Sequence, residues 1–413
     1  MRATGASARD AARSGRSSAL RGMRAPASRP PPRRCWPLLQ PNRAPAPSRH
    51  RGCGAPPAAV PTAQLGRTGL TVPRICFGTM LFGESTDAAT AERLLGACLD
   101  SGVNFFDCAE MYPVPQRAET YGRSEAALGA WLRGQRRDSV LVATKAAGPS
   151  GQMTWIRGGP HSLDAANITA ALDGSLSRLG TDYIDLYQLH WPDRYVPMFG
   201  DVDYDPSCTY PSVPIEEQLE ALRCAVEAGK VRHIGLSNET PWGLLKFLQL
   251  AEANPALPRV ASLQNAYSLL CRTFDSSLAE VCHLEGVGLL AYSPLAMGLL
   301  TGKYEAAGGG PDEARLNRYR GRYAEAESRY GPRPNVREAV RAYCSIAADH
   351  GMAPAELALR FVLSRPLVAS AVIGATSEAQ LSELLRASEA GALPSEAAAA
   401  VDAVHARLPN PTP

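Results

Sequence analysis

Seven apolar segments of the sequence end in a polar or conformationally special residue. These residues are Asp107, Lys145, His190, the pair Ser237 and Asn238, Gln264, Tyr292 and Gly374. Carboxylate, ammonium, imidazole and phenol groups donate and accept protons in enzymes, and amides and hydroxyls bind ligands through hydrogen bonds. Taken singly, each residue has an ordinary structural explanation, such as an Asp that caps a turn or a solvated Lys. A ligand site is indicated only if the fold brings these segment ends together.

Short β-branched or apolar segments alternate with amphipathic stretches from residue 74 onward. Strands are predicted at 74–78, 103–107, 140–144, 183–190, 231–236, 260–264, 287–292 and 368–373. Helices are predicted at 88–101, 123–133, 165–179, 215–228, 241–253, 276–285 and 336–364. Asp87 and Ser377 are helix-start signals for the first helix and for a last helix near the end of the chain. Strands that alternate with helices predict parallel pairing.

Eight such units in about 300 residues predict the α/β class and a closed (β/α)8 TIM barrel. An open doubly wound sheet is the alternative, but no glycine fingerprint precedes the first helix. In a barrel, the carboxyl ends of all strands meet at one rim. Polar residues with purely structural roles would be found at both rims. Because these residues all lie at strand ends on one rim, they are expected to form one ligand site.

Around these residues the sequence resembles the aldo-keto reductase superfamily, and within it the bacterial Tas-type branch. The resemblance runs from about Gln64 to Leu408. It is carried by Lys145 and by the runs GTM at 78–80, DCAEMY at 107–112, LHWP at 189–192, IGLSNET at 234–240, AYSPL at 291–295 and LTGKY at 300–304. The resemblance implies an oxidoreductase that reduces aldehydes or ketones to alcohols with NADPH, or runs the reverse reaction with NADP+.

The resemblance also implies that Asp107, Tyr112, Lys145 and His190 are the catalytic residues. Hydride addition to a carbonyl builds negative charge on its oxygen, so the site must supply a proton there, and Tyr112 is the expected general acid. A nearby ammonium lowers the pKa of a phenol, which is the role expected of Lys145. Asp107 would hold that ammonium, and His190 would orient the carbonyl.

The expected cofactor residues fall into three groups. Ser237, Asn238 and Gln264 suit a nicotinamide carboxamide, and Tyr292 offers a flat face to its ring. The segment after the seventh strand supplies Ser293, Leu295, Gly298, Thr301, Lys303 and Arg315, and the adenosine end is assigned to Gly374, Thr376, Gln380 and Glu383. Lys303 and Arg315 suit a 2′-phosphate, which favours NADPH over NADH. Leu384 and Cys271 depart from the resemblance, because each stands where related chains usually have Asn.

Two long loops, 146–164 and 192–214, are expected to form the wall of a substrate pocket. Met80, Trp155 and Trp191 are its predicted lining, which suits an apolar or aromatic carbonyl substrate. The alternative is that the loop aromatics only pack the loops down. For Arg157, two roles are open: attraction of a substrate carboxylate, or plain solvation.

Composition excludes several other classes of protein and partner. The 413 residues are 45% hydrophobic and 20% charged, as in a globular protein, and no apolar run is long enough to cross a membrane. Residues 61–413 hold 31 basic and 39 acidic residues, which argues against a nucleic-acid surface. None of the ten cysteines forms a C-x-x-C pair, so neither a metal centre nor a redox motif is predicted. The expected partner is a small carbonyl compound, and the sequence predicts no particular oligomeric state.

Residues 1–60 have a different composition, with 12 Arg, no Lys, ten Pro and Asp10 as the single acid. Such a segment cannot bury a core, so it is predicted to be a disordered extension ahead of a single barrel domain at 61–413. An Arg-rich, Ser-rich and acid-poor N-terminus is typical of an organelle transit peptide, and its prolines favour plastid over mitochondrion. A plain basic extension on a cytoplasmic protein is the alternative.

Two other functions compete with the reductase. One is a cofactor-binding partner protein, as in the potassium-channel β-subunit branch of the same superfamily, but all four catalytic residue types are present here. The other is a different barrel enzyme, an isomerase or a metal-dependent hydrolase. That function requires a carboxylate pair or a metal cluster on the rim, and the sequence suggests neither.

Overall fold

Eight parallel strands close into a barrel, as predicted, rather than an open sheet. The structure, a computed structural model, describes residues 60–159 and 161–413. Within these residues the strands are β1 (Thr62–Gln64), β2 (Thr71–Pro73), β3 (Ile75–Gly78), β4 (Phe105–Asp107), β5 (Leu141–Ala146), β6 (Ile184–Leu189), β7 (Val231–Ser237), β8 (Val260–Ala266), β9 (Gly288–Tyr292) and β10 (Val368–Ile373). The barrel order runs from β3 to β10 in sequence, and β10 pairs with β3 to close it. Each of the eight predicted strands overlaps one strand of this barrel.

Helices follow the strands and cover the outside of the barrel. They are α1 (Ala88–Asp100), α2 (Arg123–Leu132), α3 (Ala165–Leu179), α4 (Ile215–Glu227), α5 (Pro241–Ala253), α6 (Leu278–Glu285), α7 (Arg315–Arg318), α8 (Ala324–Tyr330), α9 (Pro334–Asp349), α10 (Pro354–Leu363), α11 (Glu378–Glu389) and α12 (Ser395–Arg407). Asp87 and Ser377 cap α1 and α11 through their side chains, as predicted.

The prediction of one helix over 336–364 is wrong, because two helices, α9 and α10, occupy that region. Gly351 adopts a left-handed φ of +65° between them, which ends the first helix. Pro354 then starts the second helix, at a position where its missing N–H removes no helical hydrogen bond. The short helices α7 and α8 lie in the long segment between β9 and α9, where no helix was predicted.

An antiparallel hairpin of β1 and β2, also not predicted, packs against the apolar interior at the amino-terminal end of the barrel. Leu65 and Val72 are fully buried there with Phe105, Leu186 and other apolar side chains of the barrel strands. The turn between them needs Gly66, whose φ is +58°. A Cβ on that glycine would lie 2.4 Å from the Ala261 carbonyl oxygen.

The strand register decides which polar side chains enter the barrel. Ala143 pairs with Leu186, and both belong to the apolar interior. Side chains alternate along a strand, so the next inward positions, two residues later, are Lys145 and Gln188, which also pair with each other. The interior therefore changes from apolar to polar at the level where the strands end.

The described residues include no helix that is both long and apolar enough to cross a membrane. The disordered extension was predicted for residues 1–60, of which residues 1–59 lie outside the described part of the chain. Val60, the last of them, is described and is buried.

Candidate active site

A cavity of about 1050 Å³ opens at the carboxyl ends of the barrel strands. All of the residues predicted for cofactor binding line it, from Ser237 to Glu383. Asp107, Tyr112 and His190 line it as well, whereas Lys145 lies beneath its surface with a fully buried side chain. One rim therefore brings together the strand-end residues that were singled out in the sequence.

Lys145 and Asp107 form a buried ion pair beneath the cavity. Lys145 Nζ lies 2.6 Å from Asp107 Oδ2 and donates a second hydrogen bond, of 2.7 Å, to the Cys108 carbonyl oxygen. The other carboxylate oxygen of Asp107 accepts from the amides of Gln188 at 3.1 Å and Gln264 at 2.8 Å. Buried charges need such partners, since an unpaired charge in a dry interior is strongly destabilising.

Gln188 is a site residue that the sequence analysis missed. A polar amide inside a fully buried strand, two residues before His190, was the available signal. Gly235 on the neighbouring strand leaves room for it, because a Cβ there would lie 3.1 Å from Gln188 Cγ. Gln264 contacts Gln188 as well as Asp107, so both amides fix the carboxylate.

Tyr112 lies over this ion pair with a protonated phenol. The centre of its ring is 5.0 Å from Lys145 Nζ and 5.6 Å from the His190 ring, which meets it edge-on. Burial raises the pKa of Tyr112 well above its ordinary value of 10, and the negative charge of Asp107 raises it further. The predicted lowering of this pKa is therefore wrong, because burial has the largest effect and raises it.

His190 is a neutral imidazole on the opposite side of the Tyr112 ring. Burial lowers its pKa well below 6.5, and the charge of Lys145 acts in the same direction. Its Nδ1 is buried and has no hydrogen-bond partner among the described residues. A polar atom in that state is suited to a ligand that enters the cavity.

The predicted nicotinamide residues form a connected hydrogen-bond network. Asn238 donates to the His190 carbonyl oxygen at 2.9 Å and accepts from the Tyr292 hydroxyl at 2.7 Å. Arg329 of α8 donates to that same hydroxyl at 2.9 Å. Arg329 was missed in the sequence analysis, since nothing in its local sequence links it to β9.

The backbone that carries these residues is held in an unusual conformation. Asn238, Ser293, Ala296 and Met297 have φ values between 47° and 55°, the left-handed region that non-glycine residues rarely adopt. Such conformations cost about 1–3 kcal/mol each and concentrate at functional sites. All but Ala296 also line the cavity.

Three cationic side chains line the cavity on the segment after β9. Two of them, Lys303 and Arg315, were predicted, and Arg318 was missed. The Nε of Arg315 is buried and meets no hydrogen-bond partner within the described ranges. Guanidinium and ammonium groups with free donors fit the phosphates of a dinucleotide. The residues present therefore fit NADPH at this end.

The Aldo/keto reductase family model matches residues 74–406. The chain belongs to the aldo/keto reductase family. It is 42% identical over 351 residues to Protein tas of Escherichia coli strain K12, covering 85% of this chain and 99% of that protein.

Two other relatives bear on the function of this aldo/keto reductase. An aldo-keto reductase of Babesia bovis is 46% identical over 261 residues, which are 60% of this chain and 89% of that protein. A probable voltage-gated potassium channel subunit beta of Oryza sativa is 32% identical over 331 residues, 78% of this chain and 89% of that protein. The family thus includes proteins named as reductases and proteins named as channel subunits.

The part of the cavity wall predicted to meet the adenosine is formed by α11 and the segment that leads into it. The amide of Thr376 donates to the Gln380 side chain at 3.0 Å, and Gly374 and Glu383 line the same wall. Leu384, which departs from related chains, is buried in that wall with 3% exposure. Leu384 therefore gives this wall an apolar surface.

Residues of the two long loops line the main cavity, as predicted, but one of the three residues predicted for the substrate pocket does not. Met80 and Trp191 line the main cavity, as predicted, and Trp191 Nε1 donates to the Pro149 carbonyl oxygen at 2.8 Å. Trp155 does not line that cavity and instead lines a neighbouring one of about 320 Å³. Asp193 joins the loops, because its carboxylate accepts from the amides of Leu163 at 2.6 Å and Val213 at 3.4 Å.

Neither role considered for Arg157 is correct. Its guanidinium forms a buried ion pair with Glu110 and donates to Asn167 at 2.9 Å. Burial raises the pKa of Glu110, and Arg157 opposes that rise. The ion pair therefore ties the 146–164 loop to the segment that carries Tyr112.

Cys271, the second departure, is buried on the turn after β8, with Sγ 3.6 Å from Thr273 Oγ1. Its thiol lies outside the main cavity lining. Among the described residues, no three His, Cys, Asp or Glu side chains are grouped so that they could bind a metal ion.

Proposed function

We propose that this aldo/keto reductase reduces an aldehyde or ketone to an alcohol with NADPH, and that Tyr112 is the general acid. The observation that carries the proposal is the position of one protonated phenol between a neutral His190 and the buried Lys145–Asp107 pair, at the wall of the cavity. This arrangement supplies a proton where a carbonyl oxygen acquires negative charge.

The proton comes from the Tyr112 hydroxyl. Because the pKa of Tyr112 is raised, the phenol holds its proton at neutral pH and can donate a hydrogen bond to the carbonyl oxygen before hydride arrives. His190 contacts the same oxygen from the other side as a neutral hydrogen-bonding group. Two groups then polarise the carbonyl without any full charge having to enter the pocket.

Lys145 acts after the proton has left Tyr112. The centre of the Tyr112 ring lies 5.0 Å from Lys145 Nζ. The charge of that ammonium stabilises the phenolate that forms. Asp107 holds the ammonium in place, and Gln188 and Gln264 hold Asp107. Water from the open cavity restores the proton to Tyr112 once the alcohol has left.

NADPH, when bound, supplies the hydride. The chain would hold its nicotinamide end with Ser237, Asn238, Gln264 and Tyr292, all within the network around His190. Lys303 and Arg315 would hold phosphate groups, with a preference for the 2′-phosphate of NADPH. The adenosine would meet the wall formed by α11 and the segment that leads into it, where Leu384 offers it an apolar contact.

The direct experiment measures NADPH consumption by the purified protein with a panel of aldehydes and ketones, with Tyr112→Phe as the control. We expect turnover in the unmutated protein and loss of turnover in the variant. Tight NADPH binding with no turnover on any carbonyl would instead favour the partner-protein function, for which the rice channel-subunit relative is the support.

We further propose that residues 1–60 are a transit peptide that carries the enzyme into an organelle, a plastid in preference to a mitochondrion. The support is compositional: 12 Arg, ten Pro and one acid. Fusing residues 1–60 to a fluorescent protein tests this in plastid-bearing cells. Import into plastids is expected, and diffuse cytoplasmic fluorescence would contradict the proposal.

A further inference from the structure

Helix α8 brings a carboxylate to the wall of the active-site cavity. Glu325 lines both the main cavity and the neighbouring cavity of about 320 Å³, so it stands where the two meet. The Tyr323 hydroxyl donates a 3.1 Å hydrogen bond to its Oε2. Residues shared by both cavities are Gln116, Gln152, Met153, Tyr323, Ala324 and Glu325. A substrate that extends from Tyr112 toward Trp155 must therefore pass Glu325.

The charges around the cavity are unevenly distributed. The cations that line the main cavity are Lys303, Arg315 and Arg318, all on the segment after β9 that the proposed function assigns to cofactor phosphates. The lining around Tyr112 is apolar and rich in methionine, and it includes Met80, Met111, Met153 and Met198. Methionine side chains adapt to varied apolar shapes. Arg315 reaches that end, where its Nη2 lies 3.8 Å from the Met80 sulfur, but the proposed function commits this side chain to a cofactor phosphate.

The neighbouring cavity does not favour a substrate anion either. Arg322 lines it, but this side chain is exposed and donates to the Arg318 carbonyl oxygen at 2.5 Å. Glu327 lines the same cavity and, with Glu325, gives it an excess of negative charge. Arg329 is buried outside both linings, where it contacts Tyr292 and the main-chain oxygen of Pro413.

The charge of Glu325 acts on the proton donor. Burial raises the pKa of Glu325, and the nearby Arg329 and Arg315 oppose that rise. The carboxylate in turn raises the pKa of Tyr112 and of Tyr292, so its field extends across the catalytic wall. Charges in a partly dry cavity are poorly screened, and a substrate charge near Tyr112 would feel the same field.

We propose that Glu325 is a specificity-determining residue that makes the site accept neutral or cationic apolar carbonyl compounds and reject anionic ones. This inference rests on the proposed function, since it concerns the substrate of that same site. It predicts that aldehydes bearing a carboxylate or phosphate are poor substrates.

The test uses three benzaldehydes that differ at the 4-position: tert-butyl, trimethylammonio and carboxylate. Their kcat/KM values are measured at neutral pH for the unmutated protein, for Glu325→Gln and for Asp201→Asn, an exposed carboxylate at the rim of the same cavity. Comparing each aldehyde between proteins cancels its intrinsic reactivity. Glu325→Gln keeps a hydrogen-bond acceptor for Tyr323 and removes the charge.

We expect Glu325→Gln to raise the kcat/KM of the carboxylate aldehyde about tenfold relative to that of the tert-butyl one, as for two charges about 12 Å apart at an effective dielectric constant of about 20. In the same variant, the kcat/KM of the trimethylammonio aldehyde relative to the tert-butyl one should fall by a similar factor. Asp201→Asn should change neither of these two kcat/KM ratios. Ratios in Glu325→Gln that match those of the unmutated protein would overturn the inference.

A binding measurement separates this inference from the proposed function. The corresponding 4-substituted benzamides cannot be turned over, and their binding to the unmutated protein can be followed through Trp191 fluorescence. Tighter binding of the trimethylammonio than of the carboxylate benzamide supports the inference even if no aldehyde is reduced. Equal binding of the two, with normal aldehyde turnover, would contradict the inference and leave the reductase function intact.

Discussion

Asp107 is the residue on which the buried polar groups of the site converge. It receives Lys145 on one oxygen and two amides, Gln188 and Gln264, on the other. This arrangement fixes the ammonium beneath the Tyr112 ring, 5.0 Å from the ring centre. Before turnover, the phenol of Tyr112 and the imidazole of His190 therefore face the cavity as neutral groups.

The pH dependence of the reaction follows from these two neutral groups. The raised pKa of Tyr112 keeps its proton in place above pH 9, and the lowered pKa of His190 keeps that ring uncharged below pH 6.5. We expect kcat for carbonyl reduction to be constant between about pH 6.5 and 9. Alcohol oxidation, which needs the phenolate, should rise with pH over that range. A reduction rate that halves near pH 7.5 would contradict this account of the phenol.

Replacing Lys145 by Met removes a charge with little change in volume. It leaves the buried Asp107 carboxylate without its cation, so we expect a loss of about 3 kcal/mol in the free energy of unfolding. Turnover should fall by about 10²-fold, because the phenolate loses its stabilising charge. Urea denaturation and steady-state kinetics measure the two effects.

The matched control is the double variant Lys145→Met with Asp107→Asn. It should recover much of the stability, since no buried charge is left, without recovering turnover. Recovery of turnover in this variant would mean that Lys145 acts only by supporting the fold.

At the scale of elements, the segment between β9 and α9 brings most of the cavity's charge. It carries the cations Lys303, Arg315 and Arg318, and its helix α8 adds the carboxylate of Glu325. The strands supply the catalytic floor, and this segment supplies the wall that would meet the phosphates and the far end of a substrate.

Cofactor preference tests that segment. The variant Lys303→Ala with Arg315→Ala should weaken NADPH binding much more than NADH binding, because it removes charge-assisted contacts to the 2′-phosphate. Titrations of both cofactors by fluorescence measure the change, with the exposed Arg320→Ala as the control. Equal affinity for NADPH and NADH in the unmutated protein would refute the assignment.

Arg329 tests the link between α8 and the catalytic wall. Arg329→Met removes the hydrogen bond to the Tyr292 hydroxyl and leaves Tyr292 and Asn238 free to reorient. We expect the KM for NADPH to rise about tenfold while kcat changes little, since one hydrogen bond to a charged group is worth about 1.5–3 kcal/mol. Arg329→Lys should restore part of the KM for NADPH. An unchanged KM in Arg329→Met would contradict the proposed link between α8 and Tyr292.

The strands and the strand-end residues that meet at the cavity could be predicted because their signals are local. Alternating apolar residues mark each strand, and Asp107, Lys145 and His190 stand at strand ends, where a barrel gathers ligand-binding groups. Gln188 was predictable in principle, as a polar residue at an inward position of a buried strand. Arg329 and Glu325 were not, because only tertiary folding brings α8 against β9 and the cavity.

The loop residues show a second limit. Arg157 was assigned to solvent or substrate, whereas it pairs with Glu110, 47 residues away in sequence. The direction of the Tyr112 pKa shift was wrong for a similar reason, since burial of the phenol is its main cause. Partners that are distant in the chain, and the burial they share, are not visible in local sequence.

At the scale of the whole molecule, the barrel is complete within the described residues. β10 pairs with β3 to close it, and the β1–β2 hairpin packs against its amino-terminal end. Every described residue of the cavity wall lies at or after Gly78.

Deleting residues 1–59 should accordingly leave the enzyme's kcat/KM and thermal midpoint unchanged. The physical reason is that neither the barrel strands nor the cavity lining includes these residues. Thermal denaturation and kinetics of the shortened and full-length proteins make the comparison. A large fall in either quantity would show that the extension belongs to the working fold.

The most direct test of the central claim is the rate of carbonyl reduction by Tyr112→Phe in a single turnover with bound NADPH. This change keeps the ring that packs against His190 and Lys145 and removes only the hydroxyl. We predict that NADPH affinity is retained while the rate falls by about 10²–10⁴, and that adding Lys145→Met makes it little worse, because the two residues act as a unit. Near-normal reduction by Tyr112→Phe with NADPH bound would contradict the assignment of Tyr112 as the proton donor.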